Sequence, residues 1–271
     1  MAWAFTKDLS EQYERDGYFI RRGTLSRTDA SAIRKAITDA LDAHDDQRKG
    51  HYNEELSARR GAQLARQQRF RKLGAFARHN DTVFNCGIAS HGVLEVMHHF
   101  LGPDLVLVYD SVFLKLAKTG GATPWHQDIG LWPEKMQDSF NFWIAIDPAT
   151  KANGCLQFVP GSHKGPIVEH KPYEGGLHKE LPRELCTNLQ THYAELNPGD
   201  AVFWHSNLWH YSAPNTSDQD RIAIAGVYLT PACAANSPNA QGSMIWVCRD
   251  GKRTTWPSES FRPGSAATAS Y

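Results

Sequence analysis

The stretch Leu105-Val-Leu-Val-Tyr-Asp-Ser-Val-Phe-Leu-Lys-Leu116 is rich in β-branched and aromatic residues and marks where the chain changes from a helical to a strand period. Gly120-Gly121 then breaks the chain before another strand around His126. Further short strands are expected at 140–147, 156–159, 192–196, 201–204 and 222–229, separated by turn signals such as Asn153-Gly154 and Asn197-Pro-Gly-Asp200. Upstream the pattern is helical. Ser10-Glu-Gln-Tyr-Glu-Arg-Asp16 reads as one or two helical turns closed by Gly17, ahead of a strand Tyr18-Phe-Ile-Arg21. Ile33, Ile37 and Leu41 recur at i, i+4 and i+8 on a second helix that Ser26 or Thr28 can cap. A short helix over 91–100 ends at Gly102-Pro103. Many short strands punctuated by Gly and Pro, with helices gathered in front, imply a mainly β protein with flanking helices and a β-sandwich or jelly-roll core.

At 271 residues the chain is expected to form a single domain, 1–271. A mainly helical flank is expected over 1–104, the jelly-roll core over 105–230, and a C-terminal extension over 231–271, whose tail from Arg262 is expected to be mobile. Lys plus Arg equals Asp plus Glu at 29 each, so no global charge points to nucleic acid or an anionic membrane. No apolar run approaches the ~18 residues of a membrane span, and no signal-peptide pattern opens the chain. The five cysteines are widely spaced, without a Cys-x-x-Cys pair, and fit reduced thiols. These features give the expectation of a cytoplasmic protein with a small-molecule partner, no nucleic acid and no membrane. Locally, nine Lys and Arg from Arg48 to Arg78 face only Glu54 and Glu55. This segment is expected to be a solvated helical face, the alternative being a receiver for an anionic substrate group.

In Thr123-Pro-Trp-His-Gln-Asp128 the metal-ligand types His126 and Asp128 are separated by one residue. On a strand, residues i and i+2 project to the same side, so both can reach one ion while Gln127 faces away. His210, 82 positions beyond Asp128 (210 − 128), is the third candidate. Two imidazoles and one carboxylate on one face of an octahedral ion, with positions left open, suit non-haem Fe(II) oxygenases. Arg221 opens the strand that follows, where it shares a face with Ala223, Ala225 and Val227, while Ile222, Ile224 and Tyr228 share the other. An inward guanidinium beside small residues can hold a carboxylate through two parallel hydrogen bonds. Ser212, two residues after His210, can donate another. An open-sided metal beside a carboxylate clamp suits a chelating 2-oxo acid.

Pro124-Trp-His-Gln-Asp128, Asn153-Gly-Cys-Leu156, Val159-Pro-Gly-Ser-His163, Pro198-Gly-Asp200 and the His210-x-Ser212 to Arg221 spacing resemble the phytanoyl-CoA dioxygenase-like branch of the Fe(II)/2-oxoglutarate-dependent oxygenases. The resemblance runs from Asp16-Gly-Tyr18 to about Tyr228. It implies a double-stranded β-helix (jelly-roll, cupin-like) core, with His126, Asp128 and His210 as the catalytic iron ligands. It implies also that Arg221 and Ser212 hold the far carboxylate of 2-oxoglutarate, that Trp143 lines the same pocket, and that O2 is a co-substrate. The implied reaction oxidises, above all hydroxylates, an unactivated C–H bond of a small organic substrate, with succinate and CO2 as co-products. Related halogenases carry a small non-ligating residue at the Asp128 position, so a carboxylate there argues for hydroxylation.

Other residues stay open at this level. Trp125, Trp132, Trp204 and Trp209 either line a substrate pocket or pack the barrel. The resemblance places His163 in a structural turn, and the Ser212 and Arg221 spacing favours His210 over His205 as the ligand. His98 and His99 are expected at the surface. The segment 164–190, with His170, Lys171, Tyr173 and His178, is either a substrate loop or a surface excursion. Lys115-Leu116 departs from the family's frequent Lys-Pro, which leaves Lys115 without a role. The motifs do not name the substrate, because one fold and cofactor serve many molecules; a secondary metabolite or lipid-like molecule is the expectation. Two other classes compete. A jelly-roll metal-binding protein without turnover has no use for Arg221, and a zinc hydrolase finds no His-x-His-x-Asp or His-Glu-x-x-His run.

Overall fold

Alternation along the strands builds the layers. The structure, a computed structural model, describes residues 7–42, 53–55, 70–132, 136, 139–174, 178–237 and 244–261. The larger sheet is antiparallel and runs in the order Tyr18–Arg21, Ala201–His205, Ser139–Ala145, Arg221–Leu229, Leu105–Lys115, Ile245–Arg249 and Lys252–Arg253. The smaller sheet carries His192–Ala194, Leu156–Phe158, His210–Ser212 and Thr123–His126. Trp143, Val202, Trp204 and Ala223 of the first sheet share a core with Phe158 and Ala194 of the second, so these side chains lie between the sheets. Their sequence neighbours Phe142, Ile144, Phe203, Ile222 and Ile224 point the other way and join the helical core. This is the jelly-roll arrangement expected from the strand pattern.

The helices cover that second face because each carries one apolar stripe. Ile33, Ile37 and Leu41 of the Arg27–Asp42 helix are buried, as are Val93, Leu94, Val96 and Met97 of His91–Leu101. Each such side chain contributes about 1.5–3 kcal/mol on burial, and Ile37→Ala would cost about 2–5 kcal/mol. Ser26, one of the two expected caps, accepts from the Asp29 amide (3.0 Å). Gly102, at φ 88, ends the His91–Leu101 helix. His98 and His99 are exposed.

Three segments depart from the sequence reading, and a fourth, 164–190, gains local structure. Arg71 and Lys72 belong to a strand, Phe70–Gly74, and not to a helical face; Lys72 pairs with Phe113 and Gly74 with Ser111. Pairing with a long apolar strand overrides the local polarity, as strand preference is set largely by neighbours. The rest of the basic segment, apart from Asn53–Glu55, lies outside the described residues up to position 69. The stretch assigned to a C-terminal extension contributes Ile245–Arg249 to the large sheet, where Ile245 pairs with Leu107, and Trp246 packs on Phe261. The tail from Arg262 lies outside the described residues. The Thr123–His126 strand stops at His126, and Asp128 opens a short helix, Asp128–Leu131. The 164–190 segment contains the paired Lys171–Pro172 and Lys179–Glu180, and the Leu181 amide donates to Trp125 O (2.8 Å). All five cysteines are free, and no described helix is long and apolar enough to cross a membrane.

Candidate active site

His126 ends its strand opposite His210, its register partner in the smaller sheet, and their ring centroids are 4.0 Å apart. Gln127 is extended (φ −112°, ψ 130°), so Asp128 still projects to the side of His126 although it belongs to the next helix. One ligand atom from each of His126, Asp128 and His210 lies within 4.8 Å of the others. The Nε2 atoms of His126 and His210 stand 3.6 and 3.7 Å from the two oxygens of Asp128.

The tautomers are set by the backbone. His126 Nδ1 lies 2.8 Å from Pro124 O and His210 Nδ1 lies 3.0 Å from Leu208 O, and a carbonyl only accepts. Each Nδ1 therefore carries the proton, leaving a lone pair on each Nε2. Asp128 Oδ2 accepts from Asn141 Nδ2 (3.1 Å) and Trp204 Nε1 (3.0 Å). Burial alone would raise the Asp128 pKa, but His210, His126 and the Trp204 indole outweigh it and hold the carboxyl well below its ordinary range. Burial, with His210 and His178 nearby, pushes His126 down to about 3. The group is therefore charged as a cation site should be, with a neutral His126 imidazole beside an ionised carboxylate.

A cavity of about 470 Å3 opens over this cluster. Arg221 lies at its wall, 3% exposed, with its guanidinium 5.0 Å above the Trp143 ring and Nη1 donating to Gly154 O. Among the described residues nothing accepts from its Nε. Burial lowers its pKa to about 10. Ser212 donates to Gly154 O (2.7 Å) and accepts from Lys115 Nζ (2.7 Å). Lys115 is thereby placed: it pairs with Arg221 across the sheet and sits buried behind Ser212. Burial, then Arg221 and Arg71, bring its pKa down to about 6. The cavity reaches Arg71, Lys72 and Arg78, the end of the basic segment for which an anion-receiving role was the alternative.

The tryptophans divide. Trp132, Trp143 and Trp204 line the cavity, whereas Trp125 stacks on Tyr211 (5.3 Å) and neither it nor Trp209 reaches the cavity. His163 and His205 pack on each other (5.5 Å), away from the cluster. His178, which the sequence reading named only as part of the 164–190 segment, stands with its ring edge-on to His126 at 4.5 Å. Sequence reasoning passed over Asn141, although Asn141 and Trp143 share a strand face by the two-residue period.

The phytanoyl-CoA dioxygenase family model matches residues 13–223. The chain belongs to the phytanoyl-CoA dioxygenase family. Family relatives include a probable phytanoyl-CoA dioxygenase of Caenorhabditis elegans, 28% identical over 80% of this chain and 72% of that one. A probable alpha-ketoglutarate-dependent hypophosphite dioxygenase of Stutzerimonas stutzeri is 30% identical over 63% of this chain and 61% of its own. The fold is shared with EctD from S. alaskensis, solved with 2-oxoglutarate and 5-hydroxyectoine, at a TM-score of 0.67 and 19% identity over 86% of this chain and 79% of that one. Within the phytanoyl-CoA dioxygenase family the chain is an enzyme, a non-haem iron dioxygenase that depends on 2-oxoglutarate and O2.

Proposed function

We propose that His126, Asp128 and His210 hold the catalytic Fe(II), and that Arg221, with Ser212 and the Trp143 ring, receives the distal carboxylate of 2-oxoglutarate. The observation that carries this reading is the convergence of two Nε2 lone pairs and a carboxylate in a cavity whose wall also holds a buried cation. The groups fit what they would bind. Two nitrogens and one oxygen suit Fe(II) with positions left open, and an Nε without a protein acceptor suits a second oxygen of a carboxylate. When bound, iron and 2-oxoglutarate supply the oxidising power, coupling decarboxylation to succinate and CO2 with insertion of an oxygen atom from O2 into a C–H bond.

The chain's own residues orient and exclude. Asn141 and Trp204 fix Asp128 in one orientation through Oδ2. Arg221 holds the far end of the co-substrate, and Lys115 Nζ, by donating to Ser212 Oγ, fixes that hydroxyl at the cavity wall. Val108, Leu131, Trp132 and Val227 line the remaining space and keep water from the reacting carbon. His178 donates from Nδ1 to Lys179 O (2.6 Å), which leaves Nε2 to meet a substrate donor. This apolar lining supports a small organic substrate in the range of secondary metabolites and lipid-like molecules. One oxygenase domain over 1–271 and a cytoplasmic location, supported by five free cysteines, complete the reading.

The test is anaerobic. Fe(II) and then 2-oxoglutarate are added to the purified protein, and the visible absorption of the chelate is recorded with His210→Ala as control. A band that requires His210 is expected; a folded, metal-loaded protein without it would overturn the reading.

A further inference from the structure

Gln127 stands between two of the proposed ligands, faces away from the third, and is completely buried. A buried primary amide has to satisfy both its ends. Its Oε1 accepts from the Val168 amide (2.8 Å), and its Nε2 donates to Asn207 Oδ1 (2.6 Å), Asn207 O (3.1 Å) and Pro166 O (3.1 Å). The Gln127 backbone amide donates to His170 Nε2 (2.9 Å). His170 can accept there because its Nδ1 donates to Val168 O (2.9 Å). Gly130 leaves the space for this ring, since a Cβ there would lie 2.3 Å from His170 Cε1.

Three chain segments meet at this amide. The peptide joining His126 to Asp128 is fixed by His170, and the turn leading to His210 is fixed through Asn207. That turn matters because its next carbonyl, Leu208 O, takes the Nδ1 proton of His210. Asn207 Nδ2 donates in turn to His163 O (2.8 Å) and Gly165 O (2.7 Å), which closes the network onto the third segment. Neither Gln127, His170 nor Asn207 lines the cavity, so they act on ligands and not on substrate.

We propose that Gln127, with His170 as the acceptor of its backbone amide, is a positioning residue that sets the metal affinity of the site by holding His126 and Asp128 in register with His210. The inference rests on the reading of those three residues as ligands. Ligands on separate segments must otherwise be gathered when the metal binds, and groups that orient ligands commonly change metal affinity by about 10–100-fold.

Co(II), whose visible absorption reports coordination, is titrated into the apo-protein while apo thermal unfolding is measured separately. Gln127→Leu removes the amide at similar volume, and His170→Leu removes the acceptor. His170→Gln offers an oxygen near the position of Nε2. The expected result is that both leucine variants weaken Co(II) by about 10–100-fold and alter its spectrum, while His170→Gln stays close to wild type. Gly130→Ala, which pushes the His170 ring without touching the amide, should weaken Co(II) in the same direction and serves if a leucine variant does not fold. Lower apo stability with unchanged Co(II) affinity and spectrum would overturn the proposal, because a merely structural role predicts that. Equal Co(II) binding by wild type and His210→Ala would instead remove the ligand reading, and the proposal with it.

Discussion

Arg221→Met separates what this side chain does for the fold from what it does for 2-oxoglutarate. Methionine keeps an unbranched chain over Trp143 but removes the charge. In the wild type the guanidinium is 3% exposed, its Nη1 meets Gly154 O, and its Nε has no acceptor among the described residues. Its register partner across the sheet is Lys115, so no carboxylate faces the guanidinium there, and burial disfavours its charged form in the apo-protein. Loss of one member of a buried charge pair costs about 2–5 kcal/mol of binding, or roughly 30- to 4,000-fold in Kd for 2-oxoglutarate. The apo-protein should lose no thermal stability. Titration of the anaerobic Fe(II) protein with 2-oxoglutarate reads the first quantity, and apo unfolding reads the second. An unchanged Kd would refute the clamp; a fall in apo stability would show that the cation is balanced within the chain.

Asp128→Ala and His210→Ala each remove a proposed ligand and should abolish iron-dependent succinate formation in a protein whose circular dichroism is unchanged. Lys115 gives a pH signature: its folded pKa is lowered to about 6 from 10.5, chiefly by burial and then by Arg221 and Arg71. Between those values the unfolded chain binds a proton that the folded chain lacks, so the penalty is complete below about pH 6 and fades as pH rises toward 10.5. Apo stability should therefore rise more steeply between ~pH 7 and ~pH 9 in wild type than in Lys115→Met, as followed by thermal unfolding. Gly154→Ala places a Cβ 2.1 Å from Ala213 O at φ 76°, in the segment whose carbonyl meets both Arg221 and Ser212. A stability loss of at least about 1–3 kcal/mol in denaturant and weaker 2-oxoglutarate binding are expected.

Short-range signals were legible wherever local chemistry and tertiary packing agree. Tyr18–Arg21 reads as a strand and is one, and the two-residue period placed Ala223 between the sheets and Ile222 and Ile224 under the helices. His126 and Asp128 could be paired from spacing because a strand period survives the residue at which the strand itself ends, whereas His210 was chosen by its spacing to Ser212 and Arg221. Arg71 and Lys72 misled because a strand flanked on one side only by the short, polar Asn53–Glu55 can carry charge, and its other partner Val112–Phe113 lies about forty positions away (112 − 73 = 39). Ile245–Arg249 was missed for the same reason: a short apolar run next to a polar tail declares itself only by pairing with Leu105–Leu107. Lys115 and His178 needed three dimensions outright. One is defined by the hydroxyl it meets 97 positions on, and the other by a ring 52 positions back (178 − 126 = 52).

The Leu105–Lys115 strand also sets a timetable for the ribosome. Its main partner begins at Arg221, paired with Lys115, 106 residues later (221 − 115). At a synthesis rate of ~5–20 residues per second, the most apolar strand of the nascent chain waits about 5–20 s for it. Until then only Phe70–Gly74 is at hand, and it reaches just Ser111 to Phe113. The exposed remainder, Leu105 to Asp110, is the segment that a holding chaperone would meet first, so slowing translation between 116 and 221 should raise aggregation of this protein more than slowing it elsewhere.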